Sequence, residues 1–287
     1  MQARTDLAIE ATPGRVTANG EEVSLSEAIY GRLRISRLQV RSERAARQMG
    51  KPRGRYVTAQ FPPLSDDEKG LANYAEHIGN ELQSLLPTTG TVLVVGLGNR
   101  TVTPDTLGPA TADMVLATRH IRGEFARTVG LQDLRPTAVL TPGVLGQTGT
   151  ESGEIVRGVC REVQPAAVIV VDALAARSPD RLGCTVQLCD NGIAPGSGVG
   201  NDRQPLNREL LGVPVIGLGV PTVVDAAALV EAYLPGTRPT ADFPPMMVTP
   251  REIDLTVSRA ARLLAMSIHR ALQPGYSPTD LISVASR

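Results

Sequence analysis

The sequence predicts an α/β fold: a doubly wound, mostly parallel sheet flanked by helices, with a small irregular N-terminal extension that contains β-structure. Three observations carry this. Residues 91–97 (TVLVVGL) and 167–171 (AVIVV) are short, continuous apolar runs. Such runs read as strands buried on both faces, as in parallel sheets. Helical patterns separate the runs, and strands that alternate with helices fold as βαβ units. The chain has 287 residues, 42% of them hydrophobic and 20% charged, enough apolar material for one large core and a single domain overall.

Within the extension (7–60), segments 16–23 and 33–40 alternate weakly and predict edge strands, the second more clearly. Residues 61–287 form the α/β domain. After a turn at 62–68 (PPLSDDE), residues 69–86 predict an amphipathic helix with Leu71, Tyr74, Ile78, Leu82 and Leu85 on one face. Strand 91–97 breaks at Gly98-Asn99. A loop then leads to Gly108-Pro109 and a helix over 109–121, with Pro109 suited to its first turn. Further strands are predicted at 138–140, 167–171 (ending on Asp172), 185–189 and 213–217. Further helices are predicted at 152–163, 223–233 and 250–272, with the last dozen residues frayed.

Composition and motifs exclude several chemistries. There are 29 basic and 29 acidic residues, so neither a nucleic-acid surface nor a polybasic membrane patch is expected. Cys160, Cys184 and Cys189 are odd in number and lack CxxC spacing, which fits neither a disulfide framework nor a zinc site. A reduced cytosolic interior is the expectation. The N-terminus has no apolar signal core. The most apolar stretch, 166–176, is too short to span a bilayer and contains Asp172. In Gly96-Leu97-Gly98-Asn99 the third glycine of a dinucleotide fingerprint is replaced by Thr101. GSGVGN at 196–201 lacks the lysine of a phosphate loop, and no GxSxG elbow occurs. His77 and His269 are expected as surface or cap residues of amphipathic helices. His120 is placed near the end of the 109–121 helix, where it could stabilise the C-terminus.

Carboxylates remain. In wound sheets, functional groups collect beyond the C-terminal strand ends, which selects 98–108, 172–178 and 217–225. Asp105 lies in the first segment. Asp172 closes an apolar strand, where burying a carboxylate is costly unless it is paired or used. Two readings stand on spacing alone. In one, Asp105 caps the next helix and Asp172 satisfies loop amides. In the other, the two form a dyad with split titrations, one a base on water and one an acid to a leaving amine. Asp225 is a reserve carboxylate that helix capping also explains.

Segments 94–109 (VVGLGNRTVTPDTLGP), 141–155 (TPGVLGQTGTESGEI), 168–182 (VIVVDALAARSPDRL), 190–203 (DNGIAPGSGVGNDR), 212–226 (GVPVIGLGVPTVVDA) and 247–254 (MVTPREID), with 4–11 and 54–58, resemble the germination protease family of spore-forming bacteria. The resemblance covers nearly the whole chain. It implies an endopeptidase, similar in fold to hydrogenase maturation endopeptidases, that degrades small acid-soluble spore proteins during germination. It implies a cytoplasmic tetramer of the spore core, made as a zymogen with a short propeptide, here residues 1–6. The aspartates of the family's TPD and VDALAAR motifs fall on Asp105 and Asp172, which implies that these are catalytic. Family substrates are cut after an acidic residue that precedes an apolar residue and alanine, so cleavage is expected between Asp6 and Leu7. Gly98, Asn99, Gly143, Gly149, Gly196 and Gly198 are candidates for substrate binding or oxyanion support. No cofactor is expected. A divalent metal stays an alternative because maturation endopeptidases hold one with two acidic residues and a histidine, although no histidine lies between His120 and His269. A non-enzymatic anion-binding module is the other alternative. Two departures stand out: 234–246 is a short Pro-rich link where Bacillus members carry an insertion, and the propeptide is shorter than theirs.

Overall fold

The computed structural model describes residues 5–11, 20–121, 123–128, 131–197, 203–234, 236–237, 243 and 246–285. Its strands are β1 (Val23–Tyr30), β2 (Leu33–Val40), β3 (Gly54–Gln60), β4 (Val92–Gly96), β5 (Thr137–Leu140), β6 (Ala167–Ala176), β7 (Thr185–Cys189), β8 (Val215–Asp225) and β9 (Met247–Val248). They form one sheet in the order β1-β2-β3-β7-β8-β6-β4-β5, with β9 beside β8. The block β8-β6-β4-β5 is parallel. The extension continues the same sheet: β3 pairs antiparallel with β7, which pairs antiparallel with β8.

The period of two along each strand sorts the core into two faces. Val92 and Val94 of β4, Ile169 and Val171 of β6, and Ile216 and Leu218 of β8 face one way. They pack against α2 (Leu71–Leu85), α3 (Leu107–Asp113) and α9 (Ile253–Leu272). Leu93, Val95, Val168, Val170 and Val215 face the other way, onto α6 (Ser152–Val163) and α7 (Arg208–Leu211). Helices on both faces define the doubly wound arrangement. Leu71, Ile78 and Leu82 of α2 are buried as the periodicity predicts. Each contributes about 1.5–3 kcal/mol, so packing of this stripe, more than propensity, holds the helix.

Several boundaries differ from expectation. Of the predicted strand 16–23, residues 16–19 lie outside the described residues; the strand itself starts at Val23 and forms a hairpin with β2. The predicted helix 109–121 stops at Asp113. Tertiary hydrogen bonds end it: the Met114 carbonyl faces His269 Nε2 at 3.1 Å, and the amides of Thr118 and Arg119 both donate to Thr137 O. His120 is therefore an exposed turn residue, not part of a helix end. His269, expected near the surface, is 2% exposed, and burial lowers its pKa. β6 runs on to Ala176, so Asp172 lies inside a strand rather than closing it. The strand predicted at 213–217 is β8, which extends to Asp225 and takes in 223–225, leaving the following helix, α8, as Ala226–Tyr233. The described part of the C-terminal segment is helical rather than frayed: α10 (Pro278–Ala285) packs on α9 through buried Leu281. Ser277 before Pro278 supplies the start signal, its Oγ accepting from Asp280 N.

Candidate active site

β4 ends at Gly96, and the chain returns through a 3-10 turn, Thr103–Asp105, into α3. Glycines let these pieces touch. A Cβ on Gly108 would sit 2.1 Å from Leu97 O and 2.6 Å from Val171 O. One on Gly98, where φ is +124°, would sit 2.0 Å from Asp105 O. The turn is thus pressed onto the end of β4. There the Asn99 amide donates to Asp105 Oδ2 at 2.7 Å. Asp105 does not cap α3: the N-cap is Thr106, which makes no side-chain cap bond. The capping alternative falls away for Asp105 and holds for Asp225, whose Oδ1 accepts from Ala227 N at 2.7 Å.

Asp172 follows Val168 and Val170 on the face that α6 covers. In β8 its register partner is Gly219, whose missing side chain leaves room; a Cβ there would lie 2.4 Å from Asp172 O. Asp172 is 7% exposed, and its Oδ1 accepts from Ala173 N at 2.9 Å. Burial holds its pKa well above the ordinary carboxylate range, and the charges of Asp105 and Asp6 push the same way. Burial also raises the pKa of Asp105, opposed by the Asn99 amide and the positive charge of Arg203. Asp105 is thereby the readier of the two to carry charge, and Asp172 the readier to hold a proton.

Both carboxyls line one cavity of about 340 Å³, together with Gly98, Gly196, Arg203 and Asp6. Thr222 also lines it, its buried Oγ1 having no hydrogen-bond partner among the described residues. The N-terminal segment reaches this cleft through Asp6. Asp6 N donates to Ala175 O at 2.9 Å, and Asp6 Oδ2 accepts from Ala175 N at 2.8 Å. Ser197 Oγ donates to Asp6 Oδ1 at 2.7 Å. Leu7 is fully buried against Leu174 and Ala176. Lys51 Nζ donates to Thr5 O at 2.7 Å. Glu10 is held by the amides of Arg177 and Ser178, both at 2.8 Å, and by the Thr5 hydroxyl. The segment is therefore docked by one backbone bond and several side-chain bonds, and it turns into a 3-10 helix at Ala8–Ala11.

The structure brings together Asp105, Asp172, Asp6, Gly98 and Gly196 on the cavity wall. Asn99 commits its amide to Asp105, and its side-chain oxygen accepts from Thr101 and Gln147. Gly143 accepts from Ser152 Oγ at 3.0 Å through its carbonyl and is not on the wall. Gly149 terminates α5 (Leu145–Thr148) with φ +70° and open space around it, also off the wall. Gly198 lies outside the described residues. Sequence reasoning missed Arg203, Ser197, Lys51 and Gln187. Lys51 carried a faint signal as one of two lysines. Gln187 carried another, as the amide inside the strand TVQLC. Among the described residues no group of three His, Cys, Asp or Glu side chains could hold a metal ion. No helix among them is long and apolar enough to cross a membrane.

A family profile described as germination protease matches residues 4–234. A germination protease of Caldanaerobacter subterraneus is 38% identical over 314 aligned positions, covering 97% of this chain and 96% of that one. One from Clostridium tetani is 34% identical, covering 99% of both. One from Priestia megaterium is 41% identical, covering 84% of this chain and 66% of its own length. Among solved structures, a [NiFe] hydrogenase maturation protease from Thermococcus kodakarensis aligns with a TM-score of 0.38 and 18% identity, over 66% of this chain and 98% of that one. With the match spanning most of its length, this chain belongs to the germination protease family and is an endopeptidase of spore germination.

Proposed function

We propose that this endopeptidase cuts small acid-soluble spore proteins in the spore core, is made as a zymogen that cleaves its own Asp6–Leu7 bond, works as a homotetramer, and hydrolyses peptides with the Asp105–Asp172 pair and no metal. The observation that supports this most is the seating of the Thr5–Ala11 segment. It places the acidic Asp6 on the wall of the same cleft as both aspartates, with Leu7 and Ala8 buried directly after it. In this reading Asp105 accepts a proton from a water as that water attacks the Asp6 carbonyl carbon. Asp172, held protonated, donates to the leaving nitrogen as the C–N bond breaks. The proton on Asp105 then returns to Asp172, which restores the pair. The donor set fits this reading: among the described residues no three His, Cys, Asp or Glu side chains are grouped so as to hold a metal ion.

The test uses the full chain with a small acid-soluble spore protein, following substrate loss and the mass of the chain's own N-terminus. Cleavage of both, unaffected by a chelator, is the expected result. Survival of the substrate in the presence of a chain that has lost its first six residues refutes the substrate assignment. Loss of activity on chelation refutes metal independence.

Arg203 gives a sharper check. Its positive charge lowers the pKa of both aspartates. The rate should fall on the acid side as Asp105 takes up a proton and on the alkaline side as Asp172 loses one. Arg203→Gln should therefore move both limbs of the pH–rate profile to higher pH. A profile that keeps its position while its height drops would show that Arg203 acts on something else.

A further inference from the structure

We propose that Gln187 is a catalytic residue, the side chain that polarises the carbonyl of the bond to be cut and supports its oxyanion. The inference rests on the proteolytic reading above.

The side chain straddles the Asp6–Leu7 bond. Its Nε2 donates to Asp6 O at 3.0 Å, and its Oε1 accepts from Ala8 N at 2.6 Å. The first contact falls on the one carbonyl oxygen that would gain negative charge when water adds to Asp6 C. A preorganised donor at that oxygen, shielded from water, is the arrangement that lowers the barrier for acyl transfer. The second contact grips the amide two residues downstream, so the peptide cannot slide along the groove.

Gln187 is built for this. It lies in the middle of β7, 6% exposed, in register with Gly219 of β8, the same glycine that faces Asp172 from β6. One strand, β8, thus lies between the amide and the acid, which share a row across the sheet. Burial of an amide in a strand otherwise made of Thr, Val, Leu and Cys costs stability unless both its polar atoms are satisfied. The two contacts named satisfy one donor and the acceptor, and both come from the docked segment. Three of the groups expected to supply oxyanion donors are not placed for it: Gly143 and Gly149 are off the cavity wall, and the Asn99 amide is spent on Asp105.

The step needs no group beyond those present. Water adds to Asp6 C and gives its proton to Asp105 while the carbonyl π-pair moves onto oxygen, facing Gln187 Nε2–H. The pair returns as the bond to Leu7 N breaks, and that nitrogen takes the proton of Asp172. Gln187 keeps its protons throughout.

The test uses the full chain in three forms, wild type, Gln187→Glu and Gln187→Met. Each is offered a peptide with the sequence of residues 1–11, and each is checked for folding by circular dichroism. Gln187→Met keeps the length but no hydrogen bond. Gln187→Glu keeps the grip on Ala8 N but, when ionised, has no proton to donate. Both variants should lose about 10²–10³-fold in kcat, with KM changed less than tenfold for Gln187→Glu. The activity of Gln187→Glu relative to wild type should rise as pH falls, because a protonated carboxyl can donate again. Hydrogen exchange of segment 5–11 is measured in parallel on the same proteins. A kcat within threefold of wild type in both variants overturns the proposal. So does a kcat loss in Gln187→Glu whose ratio to wild type is independent of pH. If wild type does not cleave the peptide at all, proteolysis at this site falls. Faster exchange in Gln187→Met alone would then show an anchoring role without catalysis, which also overturns the proposal.

Discussion

Asp172→Asn is expected to abolish cleavage and to make the protein more stable near neutral pH. Loss of the proton donor should cost about 10²–10⁴-fold in rate, and Asp105→Asn, which removes the base, a similar factor. The stability effect follows from the sign of the Asp172 shift. Its pKa is raised in the fold by burial and by neighbouring negative charges. In the unfolded chain an aspartate titrates near ~3.9. Between that value and the folded one, the native state holds a proton that the unfolded state has released, so stability falls as pH rises through the window. Asparagine cannot ionise, so the variant escapes the loss. A melting temperature raised by roughly 2–5 °C at neutral pH, and little changed below about pH 4, is the expected result. Thermal unfolding across pH checks it. Equal melting curves at neutral pH would mean that Asp172 bears no strain, and its assignment as the protonated member would fail.

Gly98→Ala should be the most damaging change outside the carboxyls. At φ +124° an L-residue is strained, and the new methyl would sit 2.0 Å from the Asp105 carbonyl. The turn that carries Asp105 must then lift from β4. A strained backbone position costs about 1–3 kcal/mol. A shift of the base by about 1 Å is enough to cost about 10²-fold in rate. Gly149→Ala is the matched control: φ is also positive, at +70°, but nothing lies within 4 Å of the added atom. It should destabilise by about 1–2 kcal/mol with cleavage unchanged. Denaturant titrations and cleavage rates on the two variants test the contrast. Normal cleavage by Gly98→Ala would refute the pressed-turn geometry.

Much of the fold was legible because strand and helix periods are local properties. Residues 185–189 and 152–163 match β7 and α6 at both ends, since their apolar spacing and flanking turn residues lie within the segment. Where boundaries moved, a distant partner moved them. α3 stops at Asp113 because His269 and Thr137, far along the chain, take over its exit. β6 continues past Asp172 because β8 pairs with it through Ala176 across a bulge, and because Asp6 pairs with Ala175. The site divides the same way. Asp105 and Asp172 were visible as carboxylates leaving apolar strands, yet capping explained their spacing equally well. Only the hydrogen bond from Asn99 and the unused N-cap of α3 separated the readings for Asp105.

By itself the sequence determined the βαβ rhythm, the family, and the two aspartates as candidates. Each is written in contiguous residues, as apolar runs, glycine turns and motifs. The tertiary structure decided what each polar group does. The extension proved to continue the main sheet, Asp6 proved to lie in the cleft of the pair, Arg203 came to the wall of that cleft, and Gln187 came to the Asp6 carbonyl. The physical reason is that titration, burial and hydrogen bonding depend on neighbours in space. Gln187 and the Asp6 carbonyl it holds are separated by 181 residues, and no local pattern records that they meet.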